Sequence, residues 1–162
     1  MAQLAGLDTL PPGLWPSWSD PRVDAVVSLA GDAYLFGQDG LAGIAVPVLA
    51  IGGTTDEDTP MSWGAHPTYA YVSSPAKAMV ALENAGHMIF TAPCEAIPLL
   101  MRFMSAEFCF DPGWDRYQAH NLIKHFTTTF LSAELKQDPQ AAAALAPVNV
   151  NFPGLTYEAQ GY

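Results

Sequence analysis

Three short apolar runs, each ended by glycine or a charged turn, set the frame of this chain. The first covers residues 23–30, and its stretch Ala25-Val26-Val27-Ser28-Leu29-Ala30 is apolar on consecutive positions, the pattern of a parallel strand buried on both faces. Gly31-Asp32 ends it. The second, residues 46–51 (Val-Pro-Val-Leu-Ala-Ile), tolerates Pro47 only near its start and is broken by Gly52-Gly53. The third is Ala78-Met79-Val80-Ala81-Leu82. Residues 63–73, between the second and third, read as a short helix. A strand-helix-strand unit with a right-handed crossover implies a parallel sheet, whose strand ends gather along one edge, where α/β proteins place ligands.

Farther along, Ala119, Leu122, Ile123, Phe126, Phe130 and Ala133 recur at spacings of three and four and predict an amphipathic helix over residues 113–136. Asp111-Pro112 reads as its cap and first position, and Asp138-Pro139 as its stop. An alanine-rich turn or two over residues 140–146 precedes a tail, 147–162, with no evident period. Residues 1–22, rich in Pro and Trp, read as an irregular lead-in. The expectation is a single α/β domain over residues 1–162, with about three parallel strands and flanking helices, and no internal boundary. The run at 23–30, apolar on both faces, wants a neighbour on each side, and left unpaired it invites association.

Composition narrows the function. Sixteen acidic against six basic residues leave a formal charge of −10, which repels nucleic-acid phosphates and anionic lipid. No stretch reaches the roughly 18 to 20 apolar residues of a membrane span, and the first residues lack the basic start and apolar run of a signal peptide. Cys94 and Cys109 allow one bridge or two thiols, and spacing does not decide between them. They are too few for a structural zinc site, and nothing in the sequence asks for a cofactor.

The candidate chemistry lies just beyond the second and third strands. Asp56 follows the Gly52-Gly53 turn, and His87 follows Ala85-Gly86, 31 positions later. An acid and an imidazole in this order after successive strands form two thirds of a hydrolytic triad, in which the acid orients the ring and stabilises its protonated form. Singly, each has an ordinary reading: Asp56 as a turn residue in an acidic loop with Glu57 and Asp58, His87 as a loop histidine. Asp32 is the rival acid, and its alternative is a turn cap. His66, His120 and His125 read as surface or packing residues. No serine or cysteine occupies a G-x-S-x-G turn: Ser28 lies within a strand, and Cys94 and the remaining serines, at 17, 19, 62, 73, 74, 105 and 132, have no such context.

These same residues carry a family likeness. The run 23–30, the segment Val46-Pro47-Val48-Leu49-Ala50-Ile51-Gly52-Gly53 with Asp56 and Pro60, and Ala85-Gly86-His87-Met88-Ile89-Phe90 resemble the C-terminal half of an α/β-hydrolase. Within that superfamily the chain is most similar to bacterial predicted dienelactone hydrolases related to platelet-activating-factor acetylhydrolases. Cys94, Phe108-Cys109-Phe110-Asp111-Pro112 and His125-Phe126-Thr127-Thr128-Thr129-Phe130-Leu131 resemble that group's closing region. The resemblance implies that Asp56 is the triad acid and His87 the triad base, acting on an ester or lactone. It also implies that the three strands are the last of an eight-stranded sheet, with the nucleophile elbow and oxyanion loop upstream of these residues. It further implies export of the parent protein and a Cys94–Cys109 disulfide. The expected partners are therefore an N-terminal hydrolase half, or a second copy paired through residues 23–30. A non-catalytic module associating through that strand is the alternative.

Overall fold

A computed structural model describes residue 8, residues 20–96 and residues 108–162. Most of the lead-in, with Ser17 and Ser19, and most of the segment between the cysteines, with Ser105, lie outside the described residues.

Four strands form one mixed sheet in the order β1 (Val26–Leu29), β2 (Val48–Gly53), β3 (Lys77–Leu82) and β4 (Leu155–Gln160). β1 with β2 and β2 with β3 run parallel, while β4 lies antiparallel to β3. The three apolar runs thus become parallel strands, but β1 is shorter than the run that contains it and, contrary to the expectation of a strand buried on both faces, has no fully buried residue. Gly52 and Gly53 do not break the second strand; they are its last two residues. A side chain on Gly53 would collide with the Ala85 carbonyl, so glycine lets the chain after β3 lie directly against the end of β2.

The β4 strand corrects the reading of the tail as aperiodic. Leu155, Tyr157 and Ala159 are half-buried while Thr156, Glu158 and Gln160 are exposed, the alternation of a strand covered on one face. A short helix, α1 (Gly37–Ala42), also occupies the connection between β1 and β2, where none was expected.

The central strands are covered on both faces. From β2 and β3, Leu49, Ile51, Ala78, Val80 and Leu82 point to one side, against Ala119, Phe126, Phe130 and Ala133 of the long helix α3 (Arg116–Lys136). Ala50, Met79 and Ala81 point to the other, against Met61 and Ala65; Ala65 opens α2 (Ala65–Tyr71). Neighbouring residues of one strand face opposite ways, so strands with both faces covered are apolar throughout. The expected spacing in α3 is confirmed, but its start is not: Asp115 caps the helix through the Gln118 N–H, and Asp111 is engaged elsewhere. Asp138 caps the next helix, α4 (Pro139–Ala144), through the N–H groups of Gln140 and Ala141.

β1 and β4 are the edge strands of the described sheet. Among the described residues β1 pairs on one side only, and Leu29 in it and Val23 before it are 44% and 45% exposed. Among the described residues no helix is long and apolar enough to cross a membrane.

Cys94 and Cys109 form a disulfide with Cα atoms 5.6 Å apart, closing a loop of sequence separation 15. The open alternative of two thiols therefore falls. By loop-closure entropy such a bridge stabilises the fold by about 3 kcal/mol, so reduction is expected to lower the unfolding free energy by that amount and to raise the m-value, because the unlinked denatured chain is less compact. Equilibrium unfolding with and without a thiol reductant measures it.

Two tyrosines set a limit at high pH. Burial raises the Tyr157 hydroxyl well above its ordinary value, with Tyr69 nearby adding to the shift; the hydroxyl donates to the Leu145 carbonyl at 2.7 Å. Tyr162 is raised likewise by burial and by its 2.8 Å hydrogen bond to the Glu134 carboxylate. The unfolded chain releases tyrosyl protons near pH 10 while the folded chain keeps them. The unfolded state then binds fewer protons, so this contribution is complete below about pH 10 and is lost as pH rises beyond it. Urea midpoints between pH 9 and pH 11 are expected to fall, and Tyr162→Phe to make the fall shallower.

Candidate active site

Parallel strands bring their C-terminal ends to one edge, and the loops leaving β2 and β3 meet there. Asp56 follows β2 and His87 follows β3, where it opens a 3-10 turn over His87–Phe90. The His87 Nδ1 lies 2.9 Å from Asp56 Oδ2. The Asp56 side chain is fully buried, whereas that of His87 is 30% exposed. The acid is thus enclosed and the ring reaches solvent.

An unpaired carboxylate in such a position would cost several kcal/mol, and the loop supplies enough donors to offset this. Oδ1 accepts the backbone N–H groups of Asp58 at 3.0 Å and Thr59 at 2.8 Å. Oδ2 faces His87 Nδ1 and, at 3.0 Å, the Thr59 hydroxyl. That hydroxyl also lies 2.9 Å from the Ala30 carbonyl and 3.2 Å from His87 Nδ1. It has one proton to give, so it cannot donate to both oxygens at once. When the proton goes to the Ala30 carbonyl, Thr59 joins the end of β1 to the acid loop.

The pairing decides the tautomer. An ionised carboxylate only accepts, so the nitrogen facing Asp56 carries the proton. In the neutral ring, Nε2 is then the open lone pair, and it has no hydrogen-bond partner among the described residues. A ring held this way takes a proton at Nε2 and leaves its positive charge beside a buried carboxylate.

The loops are tied together through one peptide plane. The Ala85 carbonyl accepts the Thr55 N–H at 3.1 Å, and the Gly86 N–H of the same peptide group donates to Asp111 Oδ2 at 2.8 Å. Within the turn that His87 opens, the Ile89 carbonyl meets His120 Nε2 of α3 at 2.9 Å. Arg116, buried near the start of α3, places one guanidinium nitrogen 3.2 Å from the Ala92 carbonyl and the other 3.0 Å from that of Phe108.

The rival acid is elsewhere occupied. Asp32 is exposed and accepts the Tyr34 N–H at 3.0 Å, the turn-capping role that was its alternative. His66 is exposed, and His125 packs edge-on against Phe126 and Phe152. Among the described serines none bonds His87: Ser73 Oγ donates to Ile44 O and Ser74 Oγ to Ala76 O. Cys94 has no thiol to offer. Asp58 lies with Asp56 and His87 within 4.8 Å, a spacing that also suits a cation, yet both Asp56 oxygens already face donors of the chain itself.

Sequence reasoning missed Thr59 and mistook Asp111. A hydroxyl three residues after an acid in a turn is a readable signal for the first. The second had none, because its partner is 25 residues away. No protein-family model matches this chain, and no curated protein matches it in sequence.

Proposed function

We propose that this chain carries the acid and base of a serine-type hydrolase of esters or lactones, with Asp56 as acid, His87 as base and the nucleophile brought by a segment outside these residues. The observation that carries the reading is the buried Asp56 carboxylate 2.9 Å from His87 Nδ1, with Nε2 open at the edge where parallel strands end. The resemblance to the C-terminal half of an α/β-hydrolase supports it. On this reading β1 to β3 are the last three strands of the hydrolase sheet, β4 is an addition beyond them, and the exposed edge of β1 receives the preceding strands.

The mechanism follows from the ring's orientation. Nε2 takes the proton of the serine hydroxyl as its oxygen attacks the ester carbonyl carbon, and the resulting imidazolium is stabilised by Asp56. Collapse of the tetrahedral intermediate breaks the bond to the alcohol oxygen, and Nε2 returns the proton to that leaving group. A water molecule, deprotonated by the same nitrogen, then releases the carboxylic acid and restores the serine. Among the described residues no serine is placed for this step, and the chain alone is expected to show negligible hydrolysis.

A second reading rests on the β1 edge itself. A half-exposed strand of Val26, Val27 and Leu29 suits a non-catalytic module that pairs with a second copy through that edge. Size measurement across a concentration series separates a stable monomer from such a dimer.

Assays of p-nitrophenyl ester hydrolysis, on the chain alone and mixed with an N-terminal α/β-hydrolase fragment bearing the serine elbow, test the leading reading. The mixture is expected to be active. His87→Ala is expected to lower that activity by about 10⁴-fold or more, and Asp56→Asn by about 10³ to 10⁴-fold. Activity of the chain alone that vanishes in His87→Ala would place the nucleophile within it. Activity of the mixture that survives His87→Ala would remove His87 from the mechanism.

A further inference from the structure

We propose that Asp111 is a positioning residue for His87: its carboxylate fixes the peptide plane from which the imidazole is hung. The proposal rests on the reading of Asp56 and His87 as an acid–base pair.

Asp111 is 8% exposed, and among the described residues it has no cationic partner. Its charge is carried instead by three backbone N–H groups. Oδ1 accepts from Gly113 and Trp114, both at 3.0 Å, which closes the turn leading to α3. Had turn closure been the whole role, one oxygen would suffice. Oδ2 instead reaches across to Gly86, the residue immediately before His87, at 2.8 Å.

The bonded group matters. A peptide unit is planar, so fixing its N–H and its C=O fixes its orientation. Asp111 holds the N–H of the Ala85–Gly86 unit, and Thr55, on the acid loop, holds its C=O at 3.1 Å. Only the torsions of Gly86 and of His87 itself then separate this held plane from the ring that faces Asp56. Gly86 is the residue least able to hold a conformation unaided. Asp111 thus supplies from outside the restraint that the glycine lacks.

Asp111 is itself held in place. Cys109, two residues before it, is bonded to Cys94, and Arg116 spans the Ala92 and Phe108 carbonyls beside that bridge. These contacts anchor the segment that presents the carboxylate to the chain leaving the His87 turn and to the start of α3.

The test is the tautomer of His87, read on the 162-residue chain from histidine-ring nitrogen–proton correlation spectra at a pH where the ring is neutral, with His87→Ala to assign the signals. In the wild type the pattern is that of the Nδ1–H form. Asp111→Asn keeps the size and an oxygen for the turn but turns an amide toward the Gly86 N–H; with it, as with Asp111→Ala, the pattern is expected to move toward the Nε2–H form that free imidazole side chains prefer. Asp115→Ala, which removes the α3 cap without touching Gly86, serves as the control for a loss of stability alone and is expected to keep the wild-type pattern. Should Asp111→Ala fail to fold, the asparagine variant carries the comparison.

A wild-type pattern in the folded Asp111 variants overturns the proposal. So does an equal change in Asp115→Ala, or the lack of the Nδ1–H form in the wild type. In the mixture with an N-terminal hydrolase fragment, Asp111→Asn is expected to lower kcat by about tenfold or more with KM unchanged. An inactive wild-type mixture would count against the esterase reading, while the spectra would still decide the role of Asp111.

Discussion

The parallel pairing of β2 with β3 is the constraint on which everything else hangs. Its register sets Gly53 opposite Leu82, so the two chains leave the sheet side by side and their loops are forced into contact. The contact is close enough that no side chain fits at Gly53. A slip by one residue would turn every apolar side chain of one strand to the opposite face and carry Asp56 away from His87. Fold and candidate site therefore depend on the same set of hydrogen bonds.

Two aspartates inside the protein are handled in the same way. Asp56 and Asp111 are both buried, in a chain already carrying ten more negative charges than positive, and neither meets a lysine or arginine among the described residues. Backbone N–H groups in tight turns take the place of cations. Such donors are fixed by the fold and are not screened or displaced as a mobile side chain would be, which suits a group whose task is to hold a ring at one angle. Arg116 shows the converse, a buried cation met by neutral oxygens from Ala92 and Phe108.

Much of this was legible in the residues because it is local. Consecutive apolar positions marked the parallel strands, spacings of three and four marked the buried face of α3, and the order acid then histidine after successive strands marked the pair. The strand β4 was readable too, since Leu155 to Gln160 alternate, but the eye follows length, and six residues after a Pro-Gly turn at a chain's end look like a tail. Less local features stayed hidden. Asp111 sits where a helix cap belongs, and Asp115, four residues on, takes that role instead; only the packing of the turn against Gly86 separates them. Thr59 likewise depends on the end of β1, 29 residues away. The disulfide was open on spacing alone, since two cysteines within one domain can lie near or far.

That disulfide gives the molecule a second route of covalent continuity. The residues through Cys94 hold the three parallel strands and both members of the acid–base pair, while those from Cys109 onward hold the covering helix α3 and the closing strand β4. A single cut in the main chain between the two cysteines would leave both parts within one molecule, so the layers of the core would stay at intramolecular concentration, with no need to find each other again. After such a cut the two parts would remain one covalent molecule while the bridge is oxidised and would become two separate chains once it is reduced.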